Sequence, residues 1–334
     1  MGRVVGPYYT STGPPVSINS SVIKTTSLLH IADTFPYKLL SDIPATLFHP
    51  GPLIPVAWGR LLATHPDRLY AHTITQIILH GARIGYTGPN QLIFSPNLSS
   101  ANDSIETLNK GLEEQRTHHR LMPVPTPGKR FISLLVPAGF VPKTGSDGQI
   151  NAWRRIHHLS FPPGRSVNDH IPLSWGALEY SSFDEAVTMV AAAGHGAILI
   201  KRDLADAFRH IPVAPEDYWL LGFSWDNEYW TDCFLPFGLR TSPFPFDLFA
   251  KRLHFMIEAA PGIRQSFSVI HCLGDFFAAG HPGINPNIYE SRFSNICSAL
   301  GIRIEGSKSI TGTTTDFNGI EFDTLAMEAR LPPQ

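Results

Sequence analysis

The stretch "SVIHCLGDFFAAG", Ser268 to Gly280, sets two apolar runs, Val269–Leu273 and Phe276–Ala279, on either side of the pair Gly274–Asp275. Apolar runs around a two-residue Gly-X loop predict a tight β-hairpin, with Gly274 supplying the positive φ of a type II′ turn. A hairpin this apolar carries one carboxylate at its tip. Asp275 is then either a turn former or half of a metal-binding pair.

A second acid suits the pair. Ala197–Ile200 reads as a buried strand that runs into Lys201–Arg202–Asp203. In one antiparallel sheet, the end of this strand and the tip of the hairpin bring two carboxylates together. Such acids repel unless a cation neutralises them. Oxygen ligands of this kind suit Mg²⁺, which binds through one or two carboxylates plus substrate phosphates. Spacing alone leaves both readings open.

Around these strands the pattern is mixed. Residues 1–43 are rich in Ser, Thr, Pro and Gly without a sustained period, and read as a disordered arm. Residues 44–122 turn helical: Leu69, His72, Thr73, Gln76, Ile77 and His80 recur at helical spacing after Pro66. A second helix is expected from Ser104 to His119, with Asp103 as cap and Ile105, Leu108 and Leu112 inward. "MPVPTPGKR" (Met122–Arg130) is the Pro-rich boundary. Beyond it come a strand at Phe131–Pro137, a hairpin looping at Thr144–Gln149, a helix at Phe183–Ala192 and a hairpin Tyr218–Trp225/Tyr229–Leu235 around Asp226–Asn227. A helix capped by Ser242 with Pro243 at its first position follows. After the opening hairpin come a helix near Asn287–Leu300 and short strands at Ile302–Ile304 and Phe317–Phe322. This order suits an α+β domain with helices packed on one face of an antiparallel sheet.

The 334-residue chain has a net charge of −2, 43% hydrophobic and 16% charged residues, so nucleic-acid binding would rest on local patches rather than a global basic field. Three cysteines at no metal-ligand spacing point to a reducing setting without a disulfide framework. No apolar leader or membrane-length run is present, which predicts an intracellular protein, cytoplasmic or nuclear, that is neither secreted nor membrane-bound. His195 between two glycines matches no phosphate loop. His118–His119 and His157–His158 have no partners at zinc spacing.

Longer stretches add a resemblance. "IKRDLADAFRHIPVAPEDYWLLGFSWDNEYWTDCFLPFGLRTSPFPFDLF" resembles motifs A and B of retroelement reverse transcriptases, and "HCLGDFFAAG" falls where motif C belongs. "PKTGSDGQINAWRRIHHLSFPPGRSVND" resembles the fingers, and "LGIRIEGSKSITGTTTDFNGIEFDT" the segment of motifs D and E. The likeness runs from about Val136 to Thr324, is closest to the fungal retrotransposon branch, and is most specific in "DLADAFRHIPV" and "LPFGLRTSP". It implies a right-hand polymerase fold, with reverse transcriptase-like fingers and an antiparallel palm over 123–334, preceded by the helical region 44–122.

The resemblance also implies roles. Asp203, the carbonyl of Leu204 and Asp275 would hold Mg²⁺, or Mn²⁺, for RNA-templated DNA synthesis, with Lys308 as the motif D lysine that gives a proton to pyrophosphate. Phe208 would be the aromatic gate that selects deoxynucleotide triphosphates. Phe237, Gly238 and Arg240 match the loop beneath the nascent base pair, while Arg154 and Arg155, with Lys143 and Arg165, fall where the fingers meet triphosphate and template. Asp206 matches an acid with a structural role. The partners implied are an RNA or DNA template with its primer and deoxynucleotide triphosphates, and no protein partner is evident.

The departures are specific. Motif C is expected as aromatic-x-Asp-Asp, and here it is Cys272–Leu273–Gly274–Asp275. Gly274 therefore replaces a principal metal ligand. His158 stands where an acid is expected, and Asn318 where Leu is. No stretch resembles a thumb, RNase H or integrase domain. The expectation is a polymerase-like domain of weak or absent activity, the alternatives being a non-catalytic nucleic-acid-binding protein or a decayed relic of a retroelement polyprotein.

Overall fold

A computed structural model describes residues 50–90, 93–98, 105–124, 134–135, 138–144 and 150–332. The arm read over 1–43 and the loop read at Thr144–Gln149 lie, wholly or almost wholly, outside them. The described chain opens with helices α1 (Pro55–Leu62) and α2 (Arg68–His80). Asp67 caps α2 by accepting from the Tyr70 amide at 2.9 Å. The face that α2 buries is Tyr70, Ala71, Thr73, Ile74, Ile77 and Ile78. His72, which shares the helical spacing, points to solvent instead.

The next elements are β1 (Ile93–Phe94), α3 (Ile105–Thr117), β2 (Leu121–Pro123), β3 (Leu134–Leu135), β4 (Ala138–Thr144) and β5 (Ile150–His157). Leu112 of α3 is buried as expected, against Leu121, Phe223 and Trp230, but Ile105 is exposed; the side chain of Leu108 lies outside the described residues. Strands β4 and β5 form the antiparallel hairpin read from the sequence, with Arg155 opposite Phe140 and Arg154 opposite Val141.

Helix α4 (Phe183–Ala193) begins at a capping box of Ser182 and Glu185. It leads into β6 (Ile198–Leu204), short 3₁₀ turns at Ala207–His210 and Pro215–Leu220, and the hairpin β7 (Gly222–Trp225)–β8 (Glu228–Asp232). Tyr218 and Leu220 thus belong to a helical turn rather than to the strand. Asp226 and Asn227 take φ of 49° and 60°, the left-handed pair that a tight hairpin needs.

Helix α5 (Pro243–Ala259), the hairpin β9 (Phe267–Cys272)–β10 (Asp275–Gly280) and helix α6 (Asn287–Leu300) follow. Ser242 does not cap α5. Its own backbone is helical and its hydroxyl donates to the Pro236 carbonyl at 2.7 Å. The chain ends in β11 (Ile304–Gly312), β12 (Thr314–Phe317), β13 (Ile320–Asp323) and β14 (Glu328–Arg330). What reads as one strand over Phe317–Phe322 is a hairpin, turned by Asn318 and Gly319 at φ 50° and 78°.

The central sheet runs β11-β6-β10-β9 and is antiparallel throughout. Side chains alternate across it. Ile200, Phe276, Ala278 and Val269 face the large core shared with α5 and α6, into which Trp58 and Ile74 of the first two helices also pack. Leu199, Phe277, Ala279 and Ile270 face a second core with α4 and the β12–β13 hairpin. The sheet is therefore sandwiched, and its carboxylates emerge only where the strands outrun this cover.

Candidate carboxylate site at the β9–β10 hairpin

Asp203 is the penultimate residue of β6, and Asp275 the first of β10. The register pairs them directly, and pairs Asp275 on its other side with Cys272. Directly opposed residues project from the same face, so the two acids read from the sequence do meet. Asp203 is buried and Asp275 is half-buried.

The turn itself is shifted by one residue from the expected position. Asp275 belongs to the ladder, so the two-residue loop is Leu273–Gly274, and the positive φ, 52°, falls on Leu273. Gly274 instead gives its carbonyl to the Leu204 amide at 2.9 Å, which ties the turn to the end of β6. A Cβ at 274 would stand 3.3 Å from the Ala207 Cβ and 3.7 Å from the Leu204 carbonyl oxygen.

Two residues that sequence reasoning did not place complete the electrostatics. Glu305 of β11 is the register partner of Asp203 on the opposite side from Asp275, which makes an acidic row across three strands. Lys201, two residues before Asp203 and on the same face, pairs with Asp316 of β12 at 2.6 Å. Alternation in β6 marks Lys201 as a same-face residue, but no local signal pairs Asp203 with Glu305. Lys308, the motif D candidate, bonds to Asp203 Oδ2 through its ammonium.

Burial first, and the Asp203 charge second, push the Asp275 carboxyl above the ordinary carboxylate range, partly offset by Lys201 and Lys308. A raised carboxyl pKa means that folding disfavours the ionised form. Its stability contribution is present below the ordinary carboxylate pKa and is lost as pH rises through the raised value. Asp275→Asn is therefore expected to raise Tm at pH 7, with the gain vanishing near pH ~3. Thermal denaturation across that range checks it, and a variant less stable than wild type at pH 7 would overturn it.

The divalent-metal set implied by the resemblance does not fit well here. Asp203 is taken by Lys308, Gly274 offers no ligand, and among the described residues no group of three or more His, Cys, Asp or Glu is placed to hold a metal ion. Behind the hairpin, His254 and His271 meet Nδ1 to Nδ1 at 2.7 Å. Burial, His254 and Lys251 lower His271 to about 3.

The remaining candidates cluster on one flank. Phe208, half-buried in the turn after β6, packs tilted against Phe237 at 5.1 Å and edge-on against Phe246 at 5.8 Å between ring centroids. Gly238 (φ +98°) packs its Cα against the end of β5, where a Cβ would stand 2.1 Å from the His157 carbonyl oxygen. Asn168 bridges this loop, donating to the Gly238 carbonyl at 2.8 Å and accepting from the Arg240 amide at 2.9 Å. The Arg240 guanidinium donates to the Ile171 carbonyl at 2.7 Å, so it braces the loop. Asp206, at φ 52°, pairs with Arg120 and Arg303 at 3.0 and 3.2 Å, in keeping with a structural acid. Arg154 and Arg155 lie on β5, away from the row of acids in sequence and sheet.

No helix among the described residues is long and apolar enough to cross a membrane. No protein-family model matches the chain, and no curated protein sequence does. Solved structures do match. Native prototype foamy virus protease-reverse transcriptase aligns over 81% of this chain and 35% of its own, at 18% identity and a TM-score of 0.52. A foamy viral protease-reverse transcriptase form bound to double-stranded DNA aligns over 81% and 46%, at 18% identity and a TM-score of 0.55. The foamy viral enzyme in complex with an RNA/DNA hybrid aligns over 84% and 36%, at 18% identity and a TM-score of 0.52. The chain thus spans about a third to a half of the proteins it resembles. At this identity the likeness is one of architecture: the chain has a reverse transcriptase-like fold.

Proposed function

We propose that this chain is a reverse transcriptase-like domain of a retrotransposon-derived protein, one that binds a primer-template duplex while RNA-templated DNA synthesis is strongly reduced. One observation carries the reading. Asp203 and Asp275 are register partners at the mouth of the central sheet, and the residue beside them on the hairpin is Gly274. Neighbours of the same architecture include foamy viral enzymes bound to double-stranded DNA and to an RNA/DNA hybrid, which supports a nucleic-acid duplex as the partner.

In this reading the Phe208–Phe237 pair and the Gly238 loop form the floor on which a terminal base pair rests, with Arg240 holding that loop. Arg154 and Arg155 supply phosphate contacts from the β4–β5 hairpin, where guanidinium forks suit phosphate oxygens. Deoxynucleotide triphosphates are the substrate class of the lineage. Gly274 removes one carboxylate and its charge from the centre, and each 1.4 kcal/mol lost from transition-state stabilisation lowers the rate about tenfold.

The test is a labelled primer-template duplex titrated at several salt concentrations, followed by primer extension with Mg²⁺ or Mn²⁺. Binding is expected to weaken by about 10–100-fold between 50 and 200 mM salt, as a few released phosphate counterions require. Extension is expected to be near background, and Gly274→Asp restores the carboxylate count at a steric cost of a few tenths of an ångström against Ala207. Absence of binding at low salt would defeat the nucleic-acid reading. Robust extension by wild type, lost in Asp203→Ala, would defeat the reduced-activity reading.

A further inference from the structure

The acidic row Asp275–Asp203–Glu305 runs across three adjacent strands on one face of the central sheet. Three carboxylates in register repel one another, and such a row persists only with a cation against it. The chain brings one of its own. Pairing runs from Glu305 opposite Asp203 to Ile310 opposite Lys201, so β11 spends five residues where β6 spends two. The surplus bulges outward, and a bulge beside a site re-aims a side chain.

The bulge is braced from within. The Glu305 carboxylate accepts from the Ser307 hydroxyl at 2.7 Å and from its amide at 3.3 Å, and the Ser309 hydroxyl donates to the Glu305 carbonyl at 3.3 Å. Lys308 lies between these two serines, and its ammonium closes on Asp203 Oδ2. Its side chain is 58% exposed while that of Asp203 is 13% exposed, so a largely solvated stem delivers its charge to a buried partner. The other nearby ammonium, Lys201, is engaged by Asp316.

We propose that Lys308 is the resident cation of this carboxylate row, standing where a divalent ion would otherwise neutralise it. The β11 bulge is the device that puts it there, and the row is then held together from within the chain. A divalent ion has to displace this ammonium from Asp203 before it can bind. The inference goes beyond the duplex-binding reading and rests on the sheet geometry alone, so a failure to bind duplex would leave both measurements below untouched.

The experiment compares wild type, Lys308→Met and Lys308→Arg without nucleic acid. Because Lys308 is mostly exposed, both variants are expected to fold. Mn²⁺ binding followed by electron paramagnetic resonance is expected to be tighter in Lys308→Met by on the order of tenfold or more, the gain from removing one competing charge a few ångströms away. Without divalent ions, Lys308→Met is expected to melt about 2–4 °C below wild type, while Lys308→Arg, which keeps the charge, melts close to wild type. Identical Mn²⁺ titrations for wild type and Lys308→Met would overturn the proposal. So would an unchanged Tm in Lys308→Met, or equal losses in the Met and Arg variants.

Discussion

Asp232→Ala is expected to destabilise the protein by about 3–5 kcal/mol, the cost of breaking a buried ion pair from one side. Asp232 ends β8 and is fully buried. Its Oδ1 accepts from Arg209 Nη2 at 2.5 Å, and its Oδ2 pairs with His157 Nε2 at the end of β5. Arg209 is itself buried and lies in the turn that carries Phe208. One carboxylate therefore joins the β4–β5 hairpin, the β7–β8 hairpin and the segment after Asp203.

Removing it leaves the Arg209 guanidinium buried, with neutral partners among the described residues, the Phe234 carbonyl at 3.0 Å and Gln115 at 3.2 Å. Urea denaturation should show a lower midpoint at unchanged slope. In a domain of this size the loss corresponds to a fall in Tm of roughly 6–20 °C. The double replacement Asp232→Leu with Arg209→Met should recover a good part of it, because no uncompensated charge then remains. A cost below ~1 kcal/mol for the single variant would show that the pair is solvated and the assignment wrong.

Gly238→Ala is the second large effect, expected at about 3 kcal/mol or more. Two penalties combine. The backbone is held at φ +98°, which side-chain-bearing residues rarely adopt, and the added Cβ would stand 2.1 Å from the His157 carbonyl oxygen, a rigid backbone atom at the end of β5. The loop cannot simply step back, because Asn168 holds it through Gly238 and Arg240 and the Phe237 carbonyl accepts from the His157 amide at 3.3 Å.

Gly319→Ala is the matched control. Its φ is +78°, yet nothing lies within 4 Å of the added Cβ. The conformational cost alone, about 1–2 kcal/mol, is expected there. Thermal melts of the two variants separate strain from collision. Equal losses at both positions would mean that the Gly238 loop moves freely away from β5. Because Phe237 adjoins Gly238 and packs against Phe208, the Gly238 variant should also weaken duplex binding, whereas the Gly319 variant should leave it unchanged.

Local physics made much of this chain legible in its sequence. The Pro243 start of α5, the apolar runs of β6, β9 and β10, and the Asp226–Asn227 turn all act within a few residues. These signals suffice to put Asp203 at a strand end and Asp275 at a hairpin. The Asn318–Gly319 turn carries the same kind of signal, and its Asn-Gly pair is what separates β12 from β13. Local reading went astray where the ladder overrode it. The Gly274–Asp275 loop became Leu273–Gly274 because Asp275 pairs with both Cys272 and Asp203.

Tertiary structure alone decided the rest. Lys308 and Asp203 are 105 positions apart, and their contact exists because β11 docks beside β6 and bulges there. The burial of Asp232 and Arg209 depends likewise on three segments closing over them. Backbone preferences and hydrophobic period extend over one element, whereas cross-strand register is set by which faces pack together. The pair of acids was therefore written in the sequence, and the third acid, the lysine laid across them and the fit of Gly238 against β5 were settled only by the packed sheet.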